Sequence, residues 1–275
     1  LLFDAKGRAG GLIENAYAIE NFPSLPSGIS GPSVAESLRT RLRDLNIDVI
    51  GSAVGKITNT PDGGFTLISF DGAELETGIR ALLVSTGTSP TEIGAEGAES
   101  LKGRLLFYEV ADIESPRSLS RAAVIGSGDA AFDYALSLRC KFHTHTELFI
   151  RSNEAKALPS LVNACERDPG VGINYNRKLT GIEEKSRRLL LLFDSPGGTS
   201  EYLCDLCLAA VGRRSNLSNL VPKMQIDDIS SYGSTNIPGL FVAGDIRRGS
   251  ARQLAIAMGD GTAAAMGIIK YLGSG

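Results

Sequence analysis

The sequence predicts an α/β protein of two similar domains, each a mainly parallel sheet with flanking helices and an antiparallel β insert. Three observations predict this fold: a repeat at a constant offset, a glycine-rich turn between a strand and a helix, and short apolar runs that end in glycine. With 275 residues, 43% of them hydrophobic, the chain is long enough for two cores, since a domain usually holds ~100–200 residues.

The repeat relates residues 47–90 to residues 172–215. Each stretch predicts a strand, a polar Gly-rich hairpin, another strand, and an apolar run that ends in Gly. Gly87 and Gly212 stand 125 positions apart, and the two segments align on that offset without gaps. Similarity at so long a period indicates duplicated domains rather than a solenoid.

Two tight turns predict the antiparallel inserts. The segments "PDGG" at 61–64 and "SPGG" at 195–198 place turn-forming residues between apolar flanks. Such residues favour a tight reversal of the chain. Each segment is therefore predicted to close a small hairpin.

A glycine turn predicts a nucleotide site in the second repeat. Gly126-x-Gly128-x-x-Ala131 follows a predicted strand at Ala122–Ile125 and opens an amphipathic helix, and a further strand is predicted at Glu147–Arg151. Glycines allow a pyrophosphate to approach the backbone, a small third residue allows helix–strand contact, and the helix N-terminus favours an anion. This βαβ pattern predicts a Rossmann-like dinucleotide-binding domain with three ββα layers, although a plain βα turn would have the same outline.

The segment Arg151-Ser152-Asn153 stands where the ribose of that nucleotide would lie. A single arginine suits NADP, but an arginine cluster is absent, and so is the carboxylate expected for NAD. NADH and NADPH therefore both stay open, as does a solvated strand end with no ligand.

In the first repeat, "LLFDAKG" is predicted to be the second strand of the domain, with Asp4 placed to accept hydrogen bonds from a ribose. Its own glycine turn is expected on the order of 25–30 residues upstream, so we expect the sequence to lack part of this domain. Near the other end, "IPGLFVAGD" predicts a strand that ends at Gly244-Asp245, followed by a helix of small residues. A carboxylate there suits the hydroxyls of a ribityl chain, and simple strand termination is the alternative.

Composition excludes several classes of protein. The formal charge of -3, with no cluster of Lys and Arg, excludes a nucleic-acid footprint. No apolar run approaches the ~18 residues of a membrane helix and no leader pattern opens the chain, so a cytoplasmic protein is expected. Four scattered cysteines favour a reducing compartment.

Two residue pairs are weak candidates for sites. Cys204 and Cys207 form C-x-x-C, but they fall in a predicted buried strand at Tyr202–Val211, where residues three apart point to opposite faces. Core packing is therefore favoured over a redox role. His143 and His145 are predicted to share one face of a strand, but no further ligand is evident and no metal site is predicted.

Five segments in this order resemble the low-molecular-weight thioredoxin reductases and their relatives, over nearly the whole chain: "GGLIENAYAIENFPSLPSGISG", "LLVSTGTSP", "AVIGSGDAAFDYAL", "CLAAVGRRSN" and "IPGLFVAGD…RQ". The resemblance implies a discontinuous FAD-binding domain at 1–88 and 212–275 and an NAD(P)-binding domain at 89–211. It also implies a homodimer and two alternating domain orientations, with hinges near Ser89-Pro90 and Arg213-Arg214.

The resemblance further implies cofactor-binding residues at matching positions. Those implied around FAD are Asp4, Gly10, Gly11, Asn21, Val54, Thr86, Gly87, Gly244, Asp245, Arg252 and Gln253. Those implied around the nicotinamide cofactor are Gly126, Gly128, Asp129 and Arg151.

The chain departs from that family where the chemistry lies. Counted without gaps from Gly103 to Gly126, the positions of the family's C-x-x-C pair hold Glu109 and Asp112. Without thiolates there, dithiol–disulfide exchange is not expected. The two carboxylates are candidates for proton transfer beside a flavin, or they form a solvated acidic turn. Leu12 also replaces a usual Gln, and the family's His-Arg-Arg run for NADPH is absent.

Together these features predict an FAD-dependent NAD(P)H oxidoreductase whose electrons leave to an acceptor other than an intramolecular disulfide. A ferredoxin-like protein, a flavodoxin, a quinone-like molecule or oxygen would serve. The alternative is a non-catalytic nucleotide sensor or interaction protein that keeps the fold. A third interpretation is an ordinary enzyme of the family whose sequence is incomplete.

Overall fold

The structure, a computed structural model, describes residues 1–114, 119–221 and 229–273. The helices are α1 (Gly31–Asp44), α2 (Asp129–Phe142), α3 (Pro159–Arg167), α4 (Leu217–Leu220) and α5 (Leu254–Gly273). The first strands are β1 (Leu2–Asp4), β2 (Val49–Gly51), β3 (Val54–Asn59), β4 (Phe65–Ser69), β5 (Glu74–Ile79), β6 (Leu82–Val84), β7 (Thr88–Pro90) and β8 (Leu106–Phe107). The later strands are β9 (Arg121–Ile125), β10 (His145–Phe149), β11 (Val171–Asn174), β12 (Lys178–Lys185), β13 (Arg188–Ser195), β14 (Gly198–Cys204), β15 (Leu206–Ala209), β16 (Arg213–Ser215) and β17 (Leu240–Val242).

Strands β8 to β15 form what we call the second unit, and it has three layers. Its central sheet is parallel, in the order β11-β10-β9-β15-β8. Because side chains alternate along a strand, Val124 of β9 packs with α2 and α3 on one face. Ile125 packs on the other face against the antiparallel sheet β12-β13-β14. Cores on both faces explain why these strands are apolar runs rather than alternating ones.

Strands β1 to β6 and β17 form the first unit. Its parallel strands make two ribbons, β1 with β2 and β6 with β17, and its insert is the antiparallel sheet β3-β4-β5. No strand within the described ranges hydrogen-bonds to both ribbons. Helix α1 begins where the Ser30 hydroxyl accepts the N–H of Ser33 and Pro32 occupies the first turn, a combination that favours a helix start. Phe65 and Val242 lie in the apolar core of this unit.

Each insert has three strands, whereas the sequence predicts a single hairpin. The predicted turn at 61–64 joins β3 to β4, but the turn at 195–198 joins the later pair, β13 and β14. The turn equivalent to the first one is Ser186-Arg187, with φ values of 53° and 64°. Two left-handed residues form the type I′ turn that suits a hairpin. Because these two residues are not typical of that turn, the sequence pattern missed it.

Two predicted strands have different limits. Strand β10 is His145–Phe149 rather than Glu147–Arg151, and the predicted strand at 202–211 is divided at Asp205. The Asp205 carboxylate accepts the backbone N–H of Ser120 and of Arg121, both at 2.9 Å. The chain therefore leaves the insert at Asp205 and enters the parallel sheet.

The two units are connected by an antiparallel ribbon. Strand β7 leads into the second unit and β16 leaves it, and Arg213 pairs with Pro90 while Arg214 pairs with Ser89. The Thr91 N–H donates to the Gly212 carbonyl at 2.9 Å. The segments predicted as hinges are thus hydrogen-bonded to each other.

None of the described helices combines the length and the apolar character that crossing a membrane requires.

Candidate functional site

The glycine turn of the second unit lies between β9 and α2, as predicted. A Cβ atom at Gly126 would lie 2.5 Å from the Ala210 carbonyl oxygen and 2.9 Å from the Ala131 Cβ, so only glycine fits. A Cβ at Gly128 would meet no atom within 4 Å. This open space lies at the N-terminus of the 14-residue helix α2, where free N–H groups and the helix dipole favour a phosphate. The turn fits a dinucleotide pyrophosphate.

The loop that follows β10 covers this turn. The Lys156 N–H donates to the Ser127 carbonyl at 2.7 Å, and the Leu158 N–H donates to the Asp129 carboxylate at 2.8 Å. The predicted site residue Asp129 therefore holds the loop. Arg151 and Lys156 are exposed, and neither makes an ion pair with a described carboxylate. Sequence reasoning missed Lys156, although its position five residues after Arg151 in one short loop was a usable signal.

In the first unit, β6 and β17 bring together four predicted residues. The strands are parallel neighbours, with Val84 opposite Val242, so Thr86, Gly87, Gly244 and Asp245 follow them at the same edge. Gly87 and Gly244 have φ values of 64° and 79°, which favour glycine. A Cβ at Gly87 would meet nothing within 4 Å, so a ligand can approach the backbone there.

Asp245 is a half-buried carboxylate with unused acceptor capacity. Burial raises its pKa, and the nearby Arg252 and Arg213 offset part of the shift. No described donor makes a hydrogen bond to its side chain. An ionised carboxylate accepts hydrogen bonds only, so Asp245 fits the hydroxyl groups of a ribityl chain.

Two more predicted residues are joined next to this edge. Asn21 donates a side-chain hydrogen bond to Gln253, which lies just before α5. This contact connects the loop after the first helical turn of the chain to the segment that carries Arg252.

The other predicted residues of the first unit lie apart. Asp4 ends β1, and its carboxylate accepts the N–H of Lys6 at 2.8 Å. Gly10 and Gly11 open a 3₁₀ turn at Gly11–Asn15. Val54 packs on the apolar core of the unit. No hydrogen bond among the described residues joins the Asp4 carboxylate to the edge that holds Asp245; charged side chains lie between these two parts instead.

We call these side chains the junction cluster: Lys6, Glu109, Asp112 and Arg213. The Lys6 Nζ lies 2.7 Å from Asp112 Oδ1 and 3.5 Å from Glu109 Oε2, and the Arg213 Nη2 lies 2.9 Å from Glu109 Oε1. Glu109 and Arg213 are each only 15% exposed. Glu109 and Asp112 are thus paired with cations from the first unit and from the connecting ribbon.

Hydrogen bonds of Asn15 and Tyr17 extend this interface, and sequence reasoning missed them. Asn15 accepts the Ala111 N–H through its side chain at 2.9 Å and the Ser137 hydroxyl through its carbonyl at 3.2 Å. The Tyr17 N–H donates to the Asp133 carboxylate at 3.0 Å. Burial raises the pKa of Asp133 to about 6. Their partners are more than 90 residues away in the chain, so no local pattern indicates them.

The cysteine pair differs from its prediction. Cys204 ends β14 and Cys207 lies in β15, and both pack in the core between the parallel sheet and the insert. The expectation that they point to opposite faces is wrong, because the strand is divided between them. Both are free thiols without exposed surface. Burial raises the pKa of Cys204 to about 12 and that of Cys207 well above its ordinary value.

The histidines do not share a strand face, which corrects that prediction. His143 ends α2 in the left-handed conformation, with φ 55°. His145 begins β10 and contacts the Glu147 carboxylate at 2.9 Å.

Comparisons with known proteins show which proteins this chain is similar to in sequence. The family model described as Pyridine nucleotide-disulphide oxidoreductase matches residues 15–261. A thioredoxin reductase of Streptomyces clavuligerus is 26% identical, with 99% of this chain and 86% of that protein covered. A thioredoxin reductase of Eremothecium gossypii is 27% identical, with 96% and 86% covered.

Two solved structures share the fold. Lactococcus lactis thioredoxin reductase in its FR conformation has a TM-score of 0.84 at 22% identity, covering 99% of this chain and 90% of that one. T. acidophilum thioredoxin reductase has a TM-score of 0.83 at 22% identity, with 99% and 89% covered. Both have two Rossmann-like dinucleotide-binding domains, and the predicted fold class is confirmed.

Proposed function

Because the chain belongs to the pyridine nucleotide-disulphide oxidoreductase family, we propose that it is a flavoprotein oxidoreductase that moves electrons between a nicotinamide nucleotide and an external acceptor. Enzymes of this family use FAD and NADPH. The proposal goes beyond the family in one respect: electrons do not pass through a dithiol of this chain.

One observation supports the proposal that electrons do not pass through a dithiol of this chain. The positions to which the resemblance assigns the family's cysteine pair hold Glu109 and Asp112, and both side chains form ion pairs. The C-x-x-C that the chain does have is enclosed in a core, and its thiols ionise only far above neutral pH. A thiolate is the nucleophile of disulfide exchange, so neither pair supports that reaction.

The side chains and the backbone have distinct parts in the proposed reaction. The open backbone at Gly128 and the start of α2 bind the nucleotide pyrophosphate. Arg151 and Lys156 supply positive charge at the ribose end, which supports NADPH over NADH. Asp245 and the glycines around it hold the ribityl chain. FAD, when bound, supplies the hydride-accepting ring.

The acceptor is a separate molecule, and four classes fit: a ferredoxin-like protein, a flavodoxin, a quinone-like molecule or oxygen. A bound flavin would supply the two-electron chemistry, since it could take a hydride, which is two electrons and one proton, from the nucleotide. The acceptor would take the two electrons, singly or as a pair, with release of the proton to solvent.

The test is the visible spectrum of the purified protein, recorded without oxygen before and after addition of NADPH or NADH. We expect a flavin band that NADPH bleaches, and no continuing thiol production from a small disulfide such as DTNB once the exposed Cys140 has reacted. Bleaching followed by steady disulfide reduction would overturn the acceptor assignment. A protein that never binds flavin would instead support the nucleotide sensor.

A pair of variants tests the nucleotide site. Gly128→Val fills open space without a clash and should weaken the response to nucleotide at least ~10-fold, since it blocks close approach of the pyrophosphate. Gly94→Val is the control, because its Cβ is equally unobstructed. Equal responses of the two variants would contradict the assignment of the glycine turn.

A further inference from the structure

Arg213 of the Glu109–Arg213 ion pair lies in β16 of the connecting ribbon, and hydrogen bonds join the end of that strand to the edge proposed for the flavin. We propose that this pair sets the electrostatic potential at the flavin ring and thereby the reduction potential of the bound flavin. The inference rests on the proposed function and assigns Arg213 and Glu109 as positioning residues, in the place where relatives would have a dithiol.

Arg213 is held rigidly. Its Nε donates to the Thr88 hydroxyl at 2.8 Å, and its Nη2 donates to the Thr88 carbonyl at 2.7 Å and to Glu109 at 2.9 Å. A guanidinium fixed by three hydrogen bonds has one orientation, and its planar fork loses little entropy per bond. The charge is therefore localised.

The ribbon that carries Arg213 is bonded directly to the proposed flavin edge. The Asn216 side chain donates to the Thr86 carbonyl at 2.9 Å, and the Ser215 hydroxyl donates to the Ile246 carbonyl at 2.6 Å. Burial raises the pKa of Asp245, and the charges of Arg252 and Arg213 offset part of that shift, which agrees with a position of Arg213 close to this edge.

The expected effect on the reduction potential follows from the charges of Arg213 and Glu109. A flavin that accepts a hydride gains negative charge on its ring, and a nearby guanidinium stabilises that product. Glu109 offsets part of this effect because it pairs with the same guanidinium. Both side chains are only 15% exposed, so solvent screens their charges weakly.

The test measures the midpoint potential of the bound flavin by equilibration with a reference dye. Glu109→Gln should raise the potential, since Arg213 loses its counter-charge. Arg213→Gln should lower it, since the cation is lost and Glu109 stays. Glu184→Gln is the control. It removes an exposed carboxylate of the insert that pairs with Arg104, and it should leave the potential unchanged.

A merely structural role would change the free energy of unfolding without moving the two potentials in opposite directions. If Arg213→Gln does not fold, Glu109→Gln decides alone through the sign of its shift. An unchanged potential in Glu109→Gln overturns the inference while the proposed function stands. A wild-type protein without flavin overturns both.

Discussion

The second unit holds two pairs of residues with the same spacing and opposite surroundings. Glu109 and Asp112 lie at the interface between the units and are paired with cations. Cys204 and Cys207 lie in an apolar core without exposed surface. The comparison teaches that an x-x spacing does not define a redox site, because the reactivity of a side chain depends on its solvation and on its neighbours.

The most direct way to break this comparison is to label the thiols of the native protein. Cys140 is exposed, while Cys165, Cys204 and Cys207 are buried. We expect Cys140 alone to react quickly with DTNB, and the buried thiols to react at least ~1000-fold more slowly, because their exposure requires unfolding that costs several kcal/mol. Stopped-flow absorbance measures both rates.

Denatured protein is the control, since all of these thiols should then react at similar rates. Fast labelling of Cys204 and Cys207 in the native state would show that the strand pair opens, and the contrast between the two regions would fail.

A second prediction concerns Asp133, the partly buried carboxylate of the interface. Burial raises the pKa of Asp133 from 3.8 to about 6, so the folded state holds its proton more tightly than the unfolded state does. Stability should therefore fall as pH rises from about 4 to about 6 and then level off. Asp133→Asn should remove this fall and stabilise the protein at pH 7 by at most about 3 kcal/mol, at ~1.4 kcal/mol per pKa unit.

Urea unfolding at a series of pH values between 4 and 8 measures this effect. The exposed Asp48→Asn is the matched control and should keep the pH dependence of the wild type. Parallel pH profiles for wild type and Asp133→Asn would show that the ionised carboxylate is not penalised at the interface.

The smallest effect is expected at the exposed part of the junction cluster. The Lys6 and Asp112 side chains are 52% and 48% exposed, and exposed ion pairs contribute ~0–1 kcal/mol. Lys6→Ala should lower the free energy of unfolding by less than about 1 kcal/mol, and the difference should vanish at 1 M salt. The comparison sharpens if Lys56→Ala, a change at an exposed strand residue of the insert, has no salt-dependent effect at all.

The sequence predicts those parts of the fold that local patterns determine. The glycine turn before α2 lies as predicted, and apolar strands that end at Val84 and Ala209 precede Gly87 and Gly212, because turn chemistry and side-chain period are local. The turn at Ser186-Arg187 was missed because neither residue favours left-handed backbone. The division at Asp205 depends on N–H groups contributed by β9 and the residue before it.

The residues of the candidate site likewise divide into those that local patterns predict and those that they do not. The glycines and Asp245 follow strands and could be found from the sequence. The partners of Glu109 could not, since Lys6 and Arg213 are each about 100 residues from Glu109 in the sequence and only tertiary structure brings them to one place.

The connecting ribbon has a mechanical consequence. The chain passes between the units in β7 and again in β16, and these two strands are paired. The Thr91 N–H donates to the Gly212 carbonyl at the end of the pair. Two paired strands resist shear and stretching more than torsion. We therefore expect any relative movement of the units to be a rotation about this short ribbon. We expect such a rotation to break the ion pairs of Lys6 with Glu109 and Asp112, which join the two units.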